Sequence, residues 1–338
     1  MKIVIPMARM GKRMRPHTLT TPKPLLPVAG KPIVERLVEN IAKLVKEPIQ
    51  EICFVIGPNF GKEVEEKLKA IAKNLNSTGT IYYQKEALGT AHAVYCAQES
   101  LEGETIVAFA DTLFDANFNL DRGADGIVWV KQIDNPSAFG VVTIDEKQEG
   151  KITGFVEKPE EFVSDLAIIG IYYFKDGTHL KNQIKYLIDN DVIKGGEYQL
   201  TDVLENMRLE NKVLKTGKVD AWMDFGNKNI FISSVTEILK KNKLVRKNVT
   251  LENTEIIEPC FIGENVKISN SKIGPFVSIE ENSVVNNASI HSSIIMKNSK
   301  IESTKLRNSM IGNFVELKDN FQERELNVGD YNSIFINE

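Results

Sequence analysis

Lys12, Arg13, Arg15, Lys23 and Lys31 crowd into one short stretch, residues 11–31, directly after an apolar run at residues 3–7. Like charges packed this closely suit the holding of a polyanion. Pro22, Pro24 and Pro27 fix backbone angles and are expected to forbid helix, giving the cations a stiff support. The apolar run reads as a strand, and open α/β sheets bind ligands at strand ends. Asp111 and Asp224 also stand where a strand should end, the first after residues 106–110, the second within Trp222-Met-Asp-Phe-Gly226. His17, His92, His179 and His291 show no metal spacing, and no Ser or Cys nucleophile pattern appears. A net charge of -4 and a pI near 5.8 argue against broad nucleic-acid binding. The expected ligand is therefore a small anion.

The elements that must position these groups alternate over the first two thirds of the chain. Residues 52–56, 81–83, 105–110 and 126–130 are short apolar runs that predict buried strands. Ile33, Leu37, Ile41 and Leu44 recur at helical spacing, as do Val64, Leu68, Ile71 and Leu75. That alternation predicts an α/β fold with a Rossmann-like, mainly parallel sheet. Runs at 139–144, 152–156 and 168–174 lack long intervening helices and predict an antiparallel extension carrying an acceptor site. Cys53, Cys96 and Cys260 are few and odd in number, which fits a reducing compartment. The start reads as a strand rather than a signal peptide, and no apolar run approaches membrane-spanning length. A cytoplasmic protein without membrane or nucleic-acid partners is expected.

From about residue 249 the texture becomes a repeat. Ile256, Ile262, Ile268, Ile273, Ile279, Val284, Ile290, Ile295, Ile301, Leu306, Ile311 and Leu317 follow at steps of five or six, which excludes a helical period. Ser271, Ser293, Ser299 and Ser309 each precede an apolar position by two residues and suit inward-facing tight corners. The pattern resembles the hexapeptide left-handed β-helix family, at roughly four triangular coils, with residues 314–335 as a cap. A helix over 229–241 is expected to lead into a basic linker of Lys240, Lys241, Lys243, Arg246 and Lys247. Two domains are expected, 1–245 and 246–338.

The run Gly11-Lys12-Arg13, Pro22-Lys23-Pro24 and Gly30-Lys31-Pro32 closely resembles the signature of sugar-1-phosphate nucleotidylyltransferases. That resemblance implies that Arg13 holds the triphosphate and departing pyrophosphate, that Lys23 bridges phosphates at the reacting centre, and that the backbone at Gly11 approaches the phosphates. In the block 84–93 it implies base contacts from Gln84 and Gly89. A Gln amide offers one donor and one acceptor, matching uracil or thymine. Without the family, Thr90 reads as a helix N-cap. Asp111 and Asp224 resemble the family's metal carboxylates, implying Mg²⁺, which accepts one or two carboxylates beside phosphates and water. Lys158 of Glu157-Lys-Pro, Gly170 and Glu197 of Glu197-Tyr-Gln-Leu-Thr-Asp202 are implied to hold the sugar phosphate and sugar.

The resulting expectation is Mg²⁺-dependent nucleotidyl transfer from dTTP or UTP to a hexose 1-phosphate, most simply glucose 1-phosphate. It comes with a homo-oligomer formed through the β-helix. The alternatives are a UTP- or GTP-specific relative and a non-catalytic nucleotide-sugar-binding regulatory subunit. The second arises because Arg9 stands where the family's turn has Gly, and Ala110 where Gly normally precedes the first Asp.

Overall fold

The computed structural model describes residues 1–116, 120–145, 147–148, 150–241 and 247–336. Lys243 and Arg246 of the expected linker, and the boundary at 245/246, lie outside them. The chain forms two compact units. One joins 1–9 to 35–223; the other joins 10–34 to 224–338. A cut after 245 differs from this grouping by assigning the cationic loop and the helix Lys228–Lys241 to the first part.

In the first unit, continuous apolar runs become strands buried on both faces, because every side chain along them meets a packed layer. Lys2–Pro6 lies parallel between Glu51–Ile56 and Thr105–Ala108, and Thr78–Tyr83 extends the parallel part. Ile52 to Ile56 are all inaccessible to solvent. Beyond Thr105–Ala108 the sheet reverses. Leu166–Phe174 pairs antiparallel with Thr105–Ala108, Gly126–Gln132 and Gly140–Ile144, and Ile152–Glu157 closes that edge. The expected antiparallel extension is thus present, within one nine-stranded sheet. The helices Ile33–Val45 and Lys62–Asn74 fall where their apolar periods lie.

The loop differs from expectation. Its prolines do not exclude helix; Lys12–Met14, His17–Leu19 and Lys23–Leu25 are single 3₁₀ turns. A one-turn helix tolerates proline near its start, where no intrahelical N–H donor is needed. Such turns hold themselves by few bonds, such as Met14 N–H to Gly11 O at 2.9 Å and Leu26 N–H to Lys23 O at 3.0 Å.

In the second unit, which also holds this loop, the repeat forms three all-parallel sheets of six, five and five strands, the arrangement of a left-handed β-helix. That is five coils and the start of a sixth, not four. Residues 316–318, 323–324, 327–328 and 333–335 continue the sheets instead of capping them. Apolar columns run up the interior: Ile268, Val285, Ile301, Leu317 and Ile334 in one, Ile262, Ile279, Ile295, Ile311 and Val328 in another. Val284 is the one misassigned position. It is 38% exposed, and Val285 faces inward.

Two polar devices hold the corners. Ser271, Ser293, Ser299 and Ser309 are buried as expected. The hydroxyls of Ser293, Ser299 and Ser309 accept from Ser309 N, Val315 N and Leu326 N of the next coil. Asn265, Asn282 and Asn298 adopt left-handed backbone, which Asn tolerates better than other side-chain-bearing residues. Their amides stack at 3.2 Å. Among the described residues, no helix is long and apolar enough to cross a membrane. Ser299→Ala removes the acceptor for Val315 N inside the solenoid. It is expected to lower unfolding free energy by about 1–3 kcal/mol, read from denaturant midpoints at constant slope.

Candidate active site

Gln84 follows the strand Thr78–Tyr83 and is buried at 8% exposure. Its amide nitrogen donates to Gly89 O at 3.3 Å and lies 3.2 Å from His92 Nδ1. An amide nitrogen can only donate, so Nδ1 must be unprotonated to accept. Burial pushes the His92 imidazole below its ordinary value, which favours that neutral form. Gly89 has φ of 121°, and a Cβ there would stand 2.4 Å from Tyr198 O and 3.0 Å from Glu197 Cβ. Only glycine serves at this position. Thr90 is the first helical residue rather than the N-cap. Its hydroxyl accepts from Leu200 N at 2.9 Å, while Tyr198 N donates to Leu88 O and Ala91 N to Tyr198 O. The motif holding Gln84 and Gly89 is thereby stitched to the motif holding Glu197.

Glu197 carries the partner of Arg9, whose guanidinium reaches Glu197 Oε1 at 2.5 Å. The Arg9 side chain is 66% exposed, so the pair contributes little stability. In the structure the guanidinium is turned toward Glu197. Nothing in the spacing of residues 9 and 197 signalled this contact.

Helix Leu200–Leu209 joins the third motif to this group through Thr201 Oγ1, which donates to Glu157 Oε2 at 3.1 Å. Lys158 follows with positive φ. Its N–H donates to Phe139 O, and its exposed ammonium lies 3.7 Å from Glu157. Phe139 meets the Trp222 ring edge-on at 4.9 Å, and Trp222 Nε1 donates to Thr112 Oγ1. Asp111 is exposed and directly precedes the strand Thr112–Asp115, so it opens an element rather than closing one. Asp224 ends the strand Ala221–Asp224, as expected. Gly170 sits at the irregularity of Leu166–Phe174 with φ of 84°, its carbonyl accepting from Phe109 N at 2.9 Å.

In the second unit Lys23 is buried at 7% exposure, its stem against Gly11, where an added Cβ would lie 2.7 Å from Lys23 Cβ. Arg13 and Asp224 converge over Gly226. A Cβ on Gly226 would stand 2.7 Å from Asp224 Oδ2 and 3.5 Å from Arg13 Nη2. Gly11, Arg13, Lys23 and Asp224 thus belong to one unit, and Gln84, Gly89, Asp111, Lys158, Gly170 and Glu197 to the other.

His92 and His17 both have imidazoles pushed below the ordinary 6.5 by burial. Unfolding restores the ordinary value, so the unfolded chain binds more protons just below it. Stability is full above about pH 6.5 and falls as pH drops toward the lowered folded values. Unfolding followed by denaturant at pH 7.5, 6.5 and 5.5 is expected to show this decline, with a smaller decline in His92→Gln.

The nucleotidyl transferase family matches residues 7–241. The bifunctional protein GlmU of Methanococcus aeolicus is 31% identical over 329 residues, covering 89% of this chain and 74% of that protein. A glucose-1-phosphate thymidylyltransferase of Streptomyces antibioticus is 26% identical over 99% of both chains. A nucleoside-diphosphate-sugar pyrophosphorylase from Vibrio cholerae, 20% identical, superposes with a TM-score of 0.60 over 69% of this chain and 99% of its own, a likeness of fold. With its motifs in order along the chain and a parallel β-helix behind them, the protein belongs to the nucleotidyl transferase family and is a sugar nucleotidyltransferase.

Proposed function

We propose that the protein transfers a nucleotidyl group from dTTP or UTP to glucose 1-phosphate, releasing pyrophosphate. The observation that carries this reading is the stitching of the Gln84–Gly89 loop to the Glu197 loop, which gives a base reader and a sugar reader a common support. A phosphate oxygen of the sugar phosphate attacks the α-phosphorus in line. A new P–O bond forms there while the bond to the bridging oxygen breaks, and pyrophosphate leaves with that electron pair. No covalent enzyme intermediate is needed.

The main obstacle is repulsion between two anions, so catalysis rests on placed cations. Arg13 holds the triphosphate and the departing pyrophosphate, with the Gly11 backbone beside them. Lys23, sunk against Gly11, keeps its ammonium from wandering and stabilises charge at the reacting phosphate. Lys158 holds the sugar phosphate, Glu197 accepts from sugar hydroxyls, and the Gly170 backbone lines the sugar. Asp111 and Asp224 would hold Mg²⁺, which when bound supplies charge neutralisation at the phosphates. Among the described residues no cluster of three His, Cys, Asp or Glu could cage a metal. Two carboxylates suit Mg²⁺ all the same, since substrate phosphates and water complete its shell. Arg9 belongs to the sugar side. Its guanidinium is turned to Glu197, which supports a working enzyme over a regulatory subunit blocked at the nucleotide turn.

A panel of nucleoside triphosphates and sugar 1-phosphates with Mg²⁺, scored by pyrophosphate release, is expected to give turnover with dTTP or UTP and glucose 1-phosphate. Turnover with purine triphosphates alone overturns the base assignment. Asp111→Asn and Asp224→Asn are each expected to lower turnover about 100-fold or more with the fold intact. Full activity in either removes that Asp from the metal site. Arg9→Gly frees Glu197 for sugar hydroxyls. The expected result is a sugar 1-phosphate KM lowered a few-fold at unchanged triphosphate KM.

A further inference from the structure

The loop that carries Arg13 and Lys23 is fastened to the β-helix along one face. His17, 1% exposed, places Nε2 at 2.8 Å from Asn327 Oδ1. Thr20 Oγ1 donates to Asp330 Oδ2 at 2.6 Å, and Gly30 N–H donates to Glu280 Oε1 at 3.2 Å. The Phe261 ring closes over Gly30, leaving a would-be Cβ only 2.5 Å from its Cζ, and Pro16 packs on Gly329 in the same way at 2.9 Å. Phe261 and Asn327 lie on the first and last strands of one five-stranded sheet; Glu280 and Asp330 follow its second and last strands. Four strand spacings separate the ends, so the loop is held over about 19 Å of solenoid. The segment bearing Asp224 is anchored as well. Lys228, which opens the following helix, binds Glu325 at 2.6 Å and Asn308 O at 2.9 Å.

We propose that the β-helix is a working part of the nucleotide site, a brace whose Asn327, Asp330 and Glu280 act as positioning residues for the cationic loop. The idea rests on the functional reading above and extends it to a domain for which the sequence suggested a part in assembly. The physical need is plain. Short 3₁₀ turns make few internal bonds, and the loop's cations repel one another before any anion arrives. Within the loop Thr18 Oγ1 donates to Gly11 O at 2.7 Å and Lys23 N–H to Met10 O at 3.0 Å, and a stack of hydrogen-bonded coils adds a stiff external support that holds the loop as a whole.

The test uses the full chain with Thr20→Val and Asn327→Ala, singly and together. Both positions are exposed, outside the solenoid core and outside the residues assigned to substrate. The expected result for the double variant is a triphosphate KM raised about tenfold, with the sugar 1-phosphate KM within twofold in the fraction that stays folded. Asn327→Asp retains an acceptor for His17 Nε2 and is expected to restore the parent value. General destabilisation would instead lower the active fraction and leave both KM values alone. Should the double variant not fold, Thr20→Val alone carries the same comparison. Amide exchange of residues 11–26 without substrate is expected to quicken in the variants while the coils stay protected. Unchanged exchange overturns the brace, and so does quickened exchange with unchanged triphosphate KM. A parent chain that turns over no triphosphate, yet shows the exchange effect, removes the functional reading and leaves the brace standing.

Discussion

Cations gathered to meet a polyanion repel each other until it arrives, and the rest of this structure answers that repulsion. Lys12, Arg13, Arg15, Lys23 and Lys31 share one loop, whose own hydrogen bonds close single turns and, from Lys23 N–H to Met10 O, its neck. Bringing the carboxylate of Asp224 beside Arg13 over Gly226 offsets part of that repulsion, while burial of the Lys23 stem against Gly11 fixes where one of the cations stands. What those contacts leave undone falls to the solenoid face that carries Asn327, Asp330 and Glu280.

The other unit solves a different problem, that of bringing together motifs far apart in sequence. Gly89 lets the start of its helix touch the backbone of Tyr198, and Thr90 gives its hydroxyl to Leu200 instead of capping its own helix. A Cβ at position 89 would push the two loops apart. Thr201 passes the connection to Glu157 and so to Lys158. Backbone contacts of this kind transmit position better than exposed ion pairs such as Arg9 with Glu197, which water and salt screen.

The β-helix owes its rigidity to repetition. Apolar columns at register fill the interior, and the buried hydroxyls of Ser293, Ser299 and Ser309 tie each coil to the next. Asn at left-handed corners turns the chain without glycine's entropy loss. Unpaired interior groups are expensive, and the buried Ser293, Ser299 and Ser309 each satisfy a backbone N–H of the next coil.

Local pattern alone determined a good deal here. Continuous apolar runs marked the buried strands, three-and-four spacing marked the helices, and steps of five or six marked the solenoid, because each period reflects which side chains share a face. The inward serines were legible for the same reason, whereas Val284 was confused with Val285 because two adjacent valines carry no phase. Extrapolating prolines to a helix-free loop failed, since proline is compatible with a single 3₁₀ turn. Tertiary structure decided everything that depends on distant partners: Arg9 on Glu197, Thr90 on Leu200, Trp222 on Thr112, and the cationic loop on the solenoid. A single sequence records the type of each group and its local period. The partner of a hydrogen bond that spans 310 residues is set by how packed elements meet, and that leaves no local trace.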